Sequence, residues 1–419
     1  MKLSHFGRKF TARTGILSLM DDLGRALSGS ERTLMLGGGN PAHIPQMNEL
    51  WRRRLEEILA TPGAMERMLA NYDPPQGNQV FIEALARLLN RELGWPVGPE
   101  NIAVTNGSQS SFYLLFNMFA GPGPEGRQRI LFPLVPEYIG YADQSLDAAD
   151  FVSIRPSIET IDDHTFKYHV DFDALRLSPD IAAVCVSRPT NPTGNVLTDE
   201  EVSHLDRLAR DAGVPLILDN AYGLPFPGMI FSPATPVWNE NMIVGMSLSK
   251  LGLPSVRTGM VIAAPEVIEA MTSCNAIVAL ANGSVGQTLV APLLDSGDIM
   301  RASREIIPPF YQQKSEQARQ WIAESFGSDI DYAVHKSEGS LFLWIWFRNL
   351  PITTMELYER LKRRHTIVVP GRYFFFGLDQ PWDHRDQCIR VNYAMAEADV
   401  REGIAVIADE ARQAITKGI

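Results

Sequence analysis

The residues best placed to do chemistry in this chain are a lysine, two serines before it and an arginine after it. Ser247-Leu248-Ser249-Lys250 closes an apolar run of Met242, Ile243, Val244 and Met246, and Arg257 follows seven residues after the lysine. Such a run reads as a buried strand. An amine at a strand end can form a Schiff base with an aldehyde, while hydroxyls and a guanidinium hold a phosphate on the same molecule. Taken alone, Ser-x-Ser-Lys is more often a solvated strand end. The other strand ends decide.

Four further stretches offer matching partners. A short apolar run, Ile102 to Thr105, leads into the tight turn Asn106-Gly107 and then Ser108 and Gln109. Phe112, Leu115, Phe116 and Phe119 repeat with helical spacing from that turn, with Ser108 as expected N-cap, so free amides and the helix dipole favour a phosphate there. A second strand, 181–186, runs into Ser187-Arg188-Pro189-Thr190-Asn191-Pro192-Thr193-Gly194, and a third, 215–218, ends in Asp219-Asn220-Ala221-Tyr222. Near the C-terminus Arg390 alternates with apolar residues in Cys388-Ile389-Arg390-Val391-Asn392-Tyr393. That pattern fits an edge-strand charge or, facing a cleft, a carboxylate-binding arginine. Chemistry at the α-carbon of an amino acid needs an electron sink, and these residues match the demands of pyridoxal 5′-phosphate. Lys250 can bond its aldehyde, Asp219 can keep the ring nitrogen protonated, and Asn191 and Tyr222 can hydrogen-bond its phenolic oxygen. Ser108, Gln109, Ser247, Ser249 and Arg257 can hold the phosphate, and Arg390 can take a substrate carboxylate.

The elements that must position these groups alternate. Short apolar strands separated by helices predict an α/β fold with a mostly parallel sheet and helices on both faces. Ligands on such sheets sit beyond the carboxyl ends of the strands, where Ser108, Asn191, Asp219 and Lys250 all fall. Thr198 and Glu201 form a capping box ahead of Val202, Leu205 and Leu208. After about residue 296 the pattern changes to a long helix, an apolar strand over 341–347, a second capping box at Thr353 and Glu356, a strand near 367–369 and a terminal helix. The division expected is a large cofactor-binding domain over 46–296 and a smaller α+β domain over 297–419, with residues 1–45 joined to the smaller one. The early loop Leu36-Gly37-Gly38-Gly39-Asn40-Pro41 can bring backbone close to a ligand.

Composition narrows the class. The 419 residues are 45% hydrophobic and 21% charged, as in ordinary globular proteins. A net charge of -11 with no basic run argues against a nucleic-acid partner. The three cysteines, Cys185, Cys274 and Cys388, are far apart and have no metal-type spacing, so no metal is expected and a reducing compartment is. The densest apolar stretch, 341–347, is well short of the roughly 18 residues a membrane span needs. The basic N-terminus lacks a secretory apolar core, so a cytoplasmic location and no membrane partner are expected.

The combination Asn191-Pro-Thr-Gly, Asp219-x-x-Tyr222, Ser247-x-Ser-Lys250 with Arg257, and Arg390-x-Asn-Tyr resembles the class I/II, fold-type I, pyridoxal-phosphate-dependent aminotransferases in order and spacing. The likeness runs from about Phe6 to the C-terminal helix. It implies the two-domain fold-type I architecture and a lysine that also carries a proton between the α-carbon and C4′ of the cofactor. An aromatic stacked on the cofactor ring is implied too, with Tyr138 the better match and Tyr141 the alternative. It further implies a homodimer whose Tyr72 reaches the neighbouring subunit's phosphate, and a backbone contact to substrate at Gly39. Within the family, the stretches 71–77, 136–143 and 246–254 imply exchange of amino groups between valine and pyruvate. The alternatives are other aliphatic or aromatic donors, a β-lyase, and a cofactor-sensing regulator, for which no basic DNA-binding module is visible. Arg257 follows the lysine one residue sooner than in the aspartate-type pattern. Phe374-Phe375-Phe376-Gly377 stands where Phe-Phe-Pro-Gly is expected.

Overall fold

The computed structural model describes residues 2–12, 14–28, 32–124 and 126–417. Its larger sheet has eight strands. Ile102–Thr105, Gly259–Ile262, Met242–Ser247, Leu216–Asp219, Ile181–Ser187 and Gly126–Phe132 lie side by side in that order. Gly121–Gly123 and Phe151–Ser153 both pair with Gly126–Phe132. Met242–Ser247 is buried along its whole length, as expected of a strand covered on both faces. Most pairings are parallel, and Gly259–Ile262 runs antiparallel to both neighbours. Register draws the chemistry to one edge. Asp219 lies between Ser187 and Gly245, while Ser247 pairs with Gly259 and Gly259 with Thr105.

Helices cover this sheet by the apolar spacing their sequences carry. Gln79–Leu93 buries Phe81, Ile82, Leu85, Leu88 and Leu89 on one face. Asp199–Asp211 starts at the expected capping box, with the Thr198 hydroxyl accepting from the Glu201 amide at 3.1 Å and the Glu201 carboxylate accepting from the Thr198 amide at 2.8 Å.

A second sheet has six strands in the order Val369–Pro370, Cys388–Asn392, Phe342–Phe347, Tyr332–His335, Thr165–His169 and Ser157–Asp162. The last two form a hairpin from within the 46–296 stretch, so the expected division at residue 296 does not follow the chain through the sheets. The hairpin buries Phe166, Lys167 and Tyr168, leaves most of Ser157–Asp162 exposed, and pairs with Tyr332–His335 instead of the larger sheet. Leu34–Met35 pairs with Thr366–Ile367, which ties the N-terminal segment to the C-terminal unit. Cys388–Asn392 has a partner strand on both sides, so Arg390 is not an edge charge.

Candidate active site

Lys250 follows the Met242–Ser247 strand in a short 3₁₀ turn, Ser249–Leu251. Its side chain is partly covered, and its Nζ donates to the Gly39 carbonyl at 2.7 Å and lies 5.2 Å from the centre of the Tyr222 ring. Burial, then the charges of Arg390 and Arg257, lower its pKa to about 8, against an opposing pull from Asp219. The lysine is thereby readied as a nucleophile near neutral pH.

Asp219 ends the next strand. One carboxylate oxygen accepts the Ala221 amide at 2.9 Å, and the other accepts the hydroxyl of Tyr141. Burial raises its pKa, and the bonds from Tyr141 and Ala221 and the charge of Lys250 oppose the rise. Tyr141 is buried among Phe112, Phe116 and Phe132, so of the two candidate stacking aromatics it orients the acid. Tyr138 is only partly buried and meets Tyr141 edge-on at 5.2 Å. Gly140 gives the Tyr138 ring its space, since a Cβ there would come 2.3 Å from Tyr138 Cε1.

The phosphate-binding residues converge unevenly. Gly107, with φ of 84°, takes the N-cap position expected for Ser108, and Ser108 becomes the first residue of the Ser108–Phe119 helix. The Arg257 guanidinium leans over this turn so closely that a Cβ on Gly107 would lie 2.1 Å from its Nη2. The Ser110 amide turns back to the Gly107 carbonyl at 2.9 Å, so the first two amides of the helix, Ser108 and Gln109, are the N–H groups the turn presents beside the guanidinium. Ser247 is buried and its Oγ accepts the Ser249 amide at 3.1 Å, which leaves its proton available to donate. Gln109 departs from the expectation. Its side chain is exposed and donates to the Gly140 carbonyl at 3.2 Å, so only its backbone faces the cup.

On the opposite wall, Arg390 is 3% exposed and lies 4.0 Å above the Phe342 ring and 5.2 Å from that of Phe374. It donates to the Asn191 side-chain oxygen and to the Gly37 carbonyl, both at 2.7 Å. Its Nε is buried without a partner. Among the described residues no carboxylate comes within 4 Å of this cation. Burial lowers its pKa to about 10. The glycine loop is held carbonyl by carbonyl: Gly37 by Arg390, Gly38 by the Asn392 side chain at 2.7 Å and Gly39 by Lys250. Asn392 was not singled out from the sequence, although strand residues two apart share a face and Arg390 pointed to that face. Gly39, expected to make a backbone contact to substrate, has its carbonyl engaged with the lysine, while among the described residues no backbone bond occupies its amide. Tyr72 is 85% exposed, on a turn fixed by bonds from Asn275 and Asn282 to the Pro75 carbonyl.

An amine of lowered pKa, a partly buried acid, a cup of amides and hydroxyls under a guanidinium, and a buried arginine without a carboxylate partner together fit a phosphorylated pyridine aldehyde. A family model described as aminotransferase class I and II matches residues 48–407, and the chain belongs to that family of pyridoxal-phosphate-dependent enzymes. Its relatives include a valine–pyruvate aminotransferase from Escherichia coli (strain K12), 48% identical over 99% of both chains. The crystal structure of a valine–pyruvate aminotransferase from Salmonella typhimurium LT2 is 48% identical, with a TM-score of 0.89 over 96% of this chain and all of that one. That of a putative amino-acid aminotransferase from Psychrobacter arcticum is 44% identical, with a TM-score of 0.96 over 99% of both.

Proposed function

We propose that this enzyme exchanges amino groups between valine and pyruvate in two half-reactions, giving 3-methyl-2-oxobutanoate and alanine. The likeness to relatives of that name supports the substrates. The observation that carries the site assignment is the buried, carboxylate-free Arg390 facing Lys250 and Tyr222, because an unpaired buried cation is costly unless an anion completes it. Pyridoxal phosphate, when bound, supplies a carbon that takes up the amino group and a ring that accepts the electron pair left at the α-carbon. With the cofactor bound, Lys250 Nζ would hold it between turnovers and would take up and return the proton of the substrate α-carbon. Asp219 keeps the ring nitrogen protonated. Asn191 Nδ2 and the Tyr222 hydroxyl hold the phenolic oxygen, and Tyr138 covers the ring. Ser108, Ser247, Ser249, Arg257 and the Ser108 and Gln109 amides hold the phosphate.

A homodimer completes the site in this reading. Tyr72 projects from a rigid turn, and Ile277 (87% exposed), Val278 and Leu280 stand exposed between the two asparagines that fix that turn. Apolar side chains gathered on a surface of this kind suit burial against a second copy. The expected location is the cytoplasm. Among the described residues, no helix is long and apolar enough to cross a membrane.

With valine alone, the loaded enzyme should release one equivalent of 3-methyl-2-oxobutanoate per site and no ammonia, then turn over continuously once pyruvate is added. Continuous ammonia release, or faster turnover with aromatic or acidic donors than with valine, would overturn the assignment. Tyr141→Phe should weaken cofactor retention by about ten- to a hundredfold, because a hydrogen bond to a charged group contributes about 1.5–3 kcal/mol. Equilibrium dialysis of the cofactor measures this, and unchanged retention would show that Asp219 does not depend on Tyr141.

A further inference from the structure

Glu137 is a buried carboxyl beside the site that has no task in the reading above. It is 1% exposed. Its Oε1 accepts the Ser187 amide at 2.8 Å, and its Oε2 lies 2.6 Å from the Ser187 hydroxyl and 3.3 Å from the Tyr138 amide. Its own amide donates to the Phe374 carbonyl at 2.9 Å. Among the described residues no lysine, arginine or histidine nitrogen comes within 4 Å of the carboxyl. Burial, with a further push from Asp219, raises its pKa to about 8. The Ser187 hydroxyl and the Ser187 and Tyr138 amides all donate to the carboxyl and oppose that rise, so the three bonds, and not a charged partner, hold the group in place.

Each segment that Glu137 touches bears on the binding cleft. Tyr138 is the next residue. Ser187 pairs with Asp219 across the sheet, and its carbonyl accepts the Thr190 hydroxyl at 3.0 Å, one residue before Asn191. The ring of Phe374 lies beside the Arg390 guanidinium. Glu137 thus joins three segments drawn from distant parts of the sequence through short bonds in a dry setting, where such a network holds its members most firmly.

We propose that Glu137 is a positioning residue that sets Tyr138, the Asn191 turn and Phe374 against Arg390, and so shapes the seat of the substrate carboxylate. The proposal rests on the assignment of that seat to Arg390, which Asn191 holds in place. Glutamine at this position keeps the shape and two of the three bonds, because its amide oxygen can accept from the Ser187 amide and its NH2 can donate to the Ser187 hydroxyl, losing only the long bond from the Tyr138 amide, whereas alanine keeps none.

The test compares Glu137→Gln and Glu137→Ala in the cofactor-loaded enzyme by steady-state kinetics, visible circular dichroism of the bound cofactor and thermal melting. Glu137→Ala should raise KM for valine and pyruvate about tenfold or more, lower kcat by a smaller factor and alter the dichroic band. Glu137→Gln should restore KM to within about threefold and return the band. An alanine variant with unchanged KM and dichroism, whatever its melting temperature, would overturn the proposal, and so would a glutamine variant as impaired as alanine. Should Glu137→Ala fail to fold, Ser187→Ala removes one partner of the bridge. It should raise both KM values about threefold, and no rise would overturn the proposal. Arg390→Ala, measured alongside, separates the two ideas. Unchanged KM there removes the seat itself, whereas a raised KM there with none in Glu137→Ala removes only the role of Glu137.

Discussion

Lys250→Ala is expected to abolish turnover and covalent capture of the cofactor together. The amine is the group here that can both bond an aldehyde and carry a proton, and each role is worth orders of magnitude. General acid–base transfer alone contributes on the order of 10²–10⁴-fold. Loss of more than about 10³-fold in kcat is therefore expected, with no mass added to the chain by borohydride treatment of the loaded variant. The fold should survive, since the partly covered side chain makes a single hydrogen bond, to the Gly39 carbonyl. Turnover retained by Lys250→Ala would refute the assignment. The lowered pKa adds a pH signature. Only the neutral amine attacks a carbonyl, so with its pKa near 8 roughly a tenth is reactive at pH 7, against about one part in three thousand for an ordinary lysine. Capture of the cofactor by the free enzyme should accelerate as pH rises and level off above about 8. A rate still climbing toward pH 10 would mean that burial and the two arginines do not depress this amine.

Much of this site was legible in the sequence because polar residues just past short apolar strands have few other places to be. Asp219, Asn191 and Lys250 fell on one sheet edge once the strands were recognised, and the register confirms that edge. What stayed hidden depends on side chains meeting across the fold. Tyr138 and Tyr141 sit in a loop without periodicity, so nothing local says that one lines the cleft and the other turns inward to the Asp219 carboxylate. Glu137 reads as an ordinary loop acid until Ser187 closes over it. The hairpin at 157–169 carries a strand signal, but its choice of sheet is set by Tyr332–His335, more than 150 residues further along. For Gln109 the position at a helix start was legible, but that its side chain turns to the Gly140 carbonyl, leaving the backbone amide as its contribution, was not.

The second large effect is expected at Arg390. Arg390→Ala should raise KM for valine and pyruvate alike by about a hundredfold or more, because truncating one partner of a buried charge pair costs about 2–5 kcal/mol. The guanidinium has five N–H groups. Asn191 and Gly37 each take one, so three remain, and the buried Nε is among those left unpartnered. Phe342 and Phe374 keep water from the cation and strengthen its attraction for an anion. Alanine would also release Asn191 and the glycine loop, so a rise in KM could come from disorder alone. Cofactor retention separates the causes. A lost carboxylate seat leaves retention within about threefold while KM climbs, whereas a loosened Asn191 turn weakens both. Arg390→Lys sharpens the result, since an ammonium keeps the charge but loses the planar fork and should recover only part of the affinity. Equal KM in the wild type and Arg390→Ala would move the carboxylate site elsewhere and leave a buried cation with no anion to complete it.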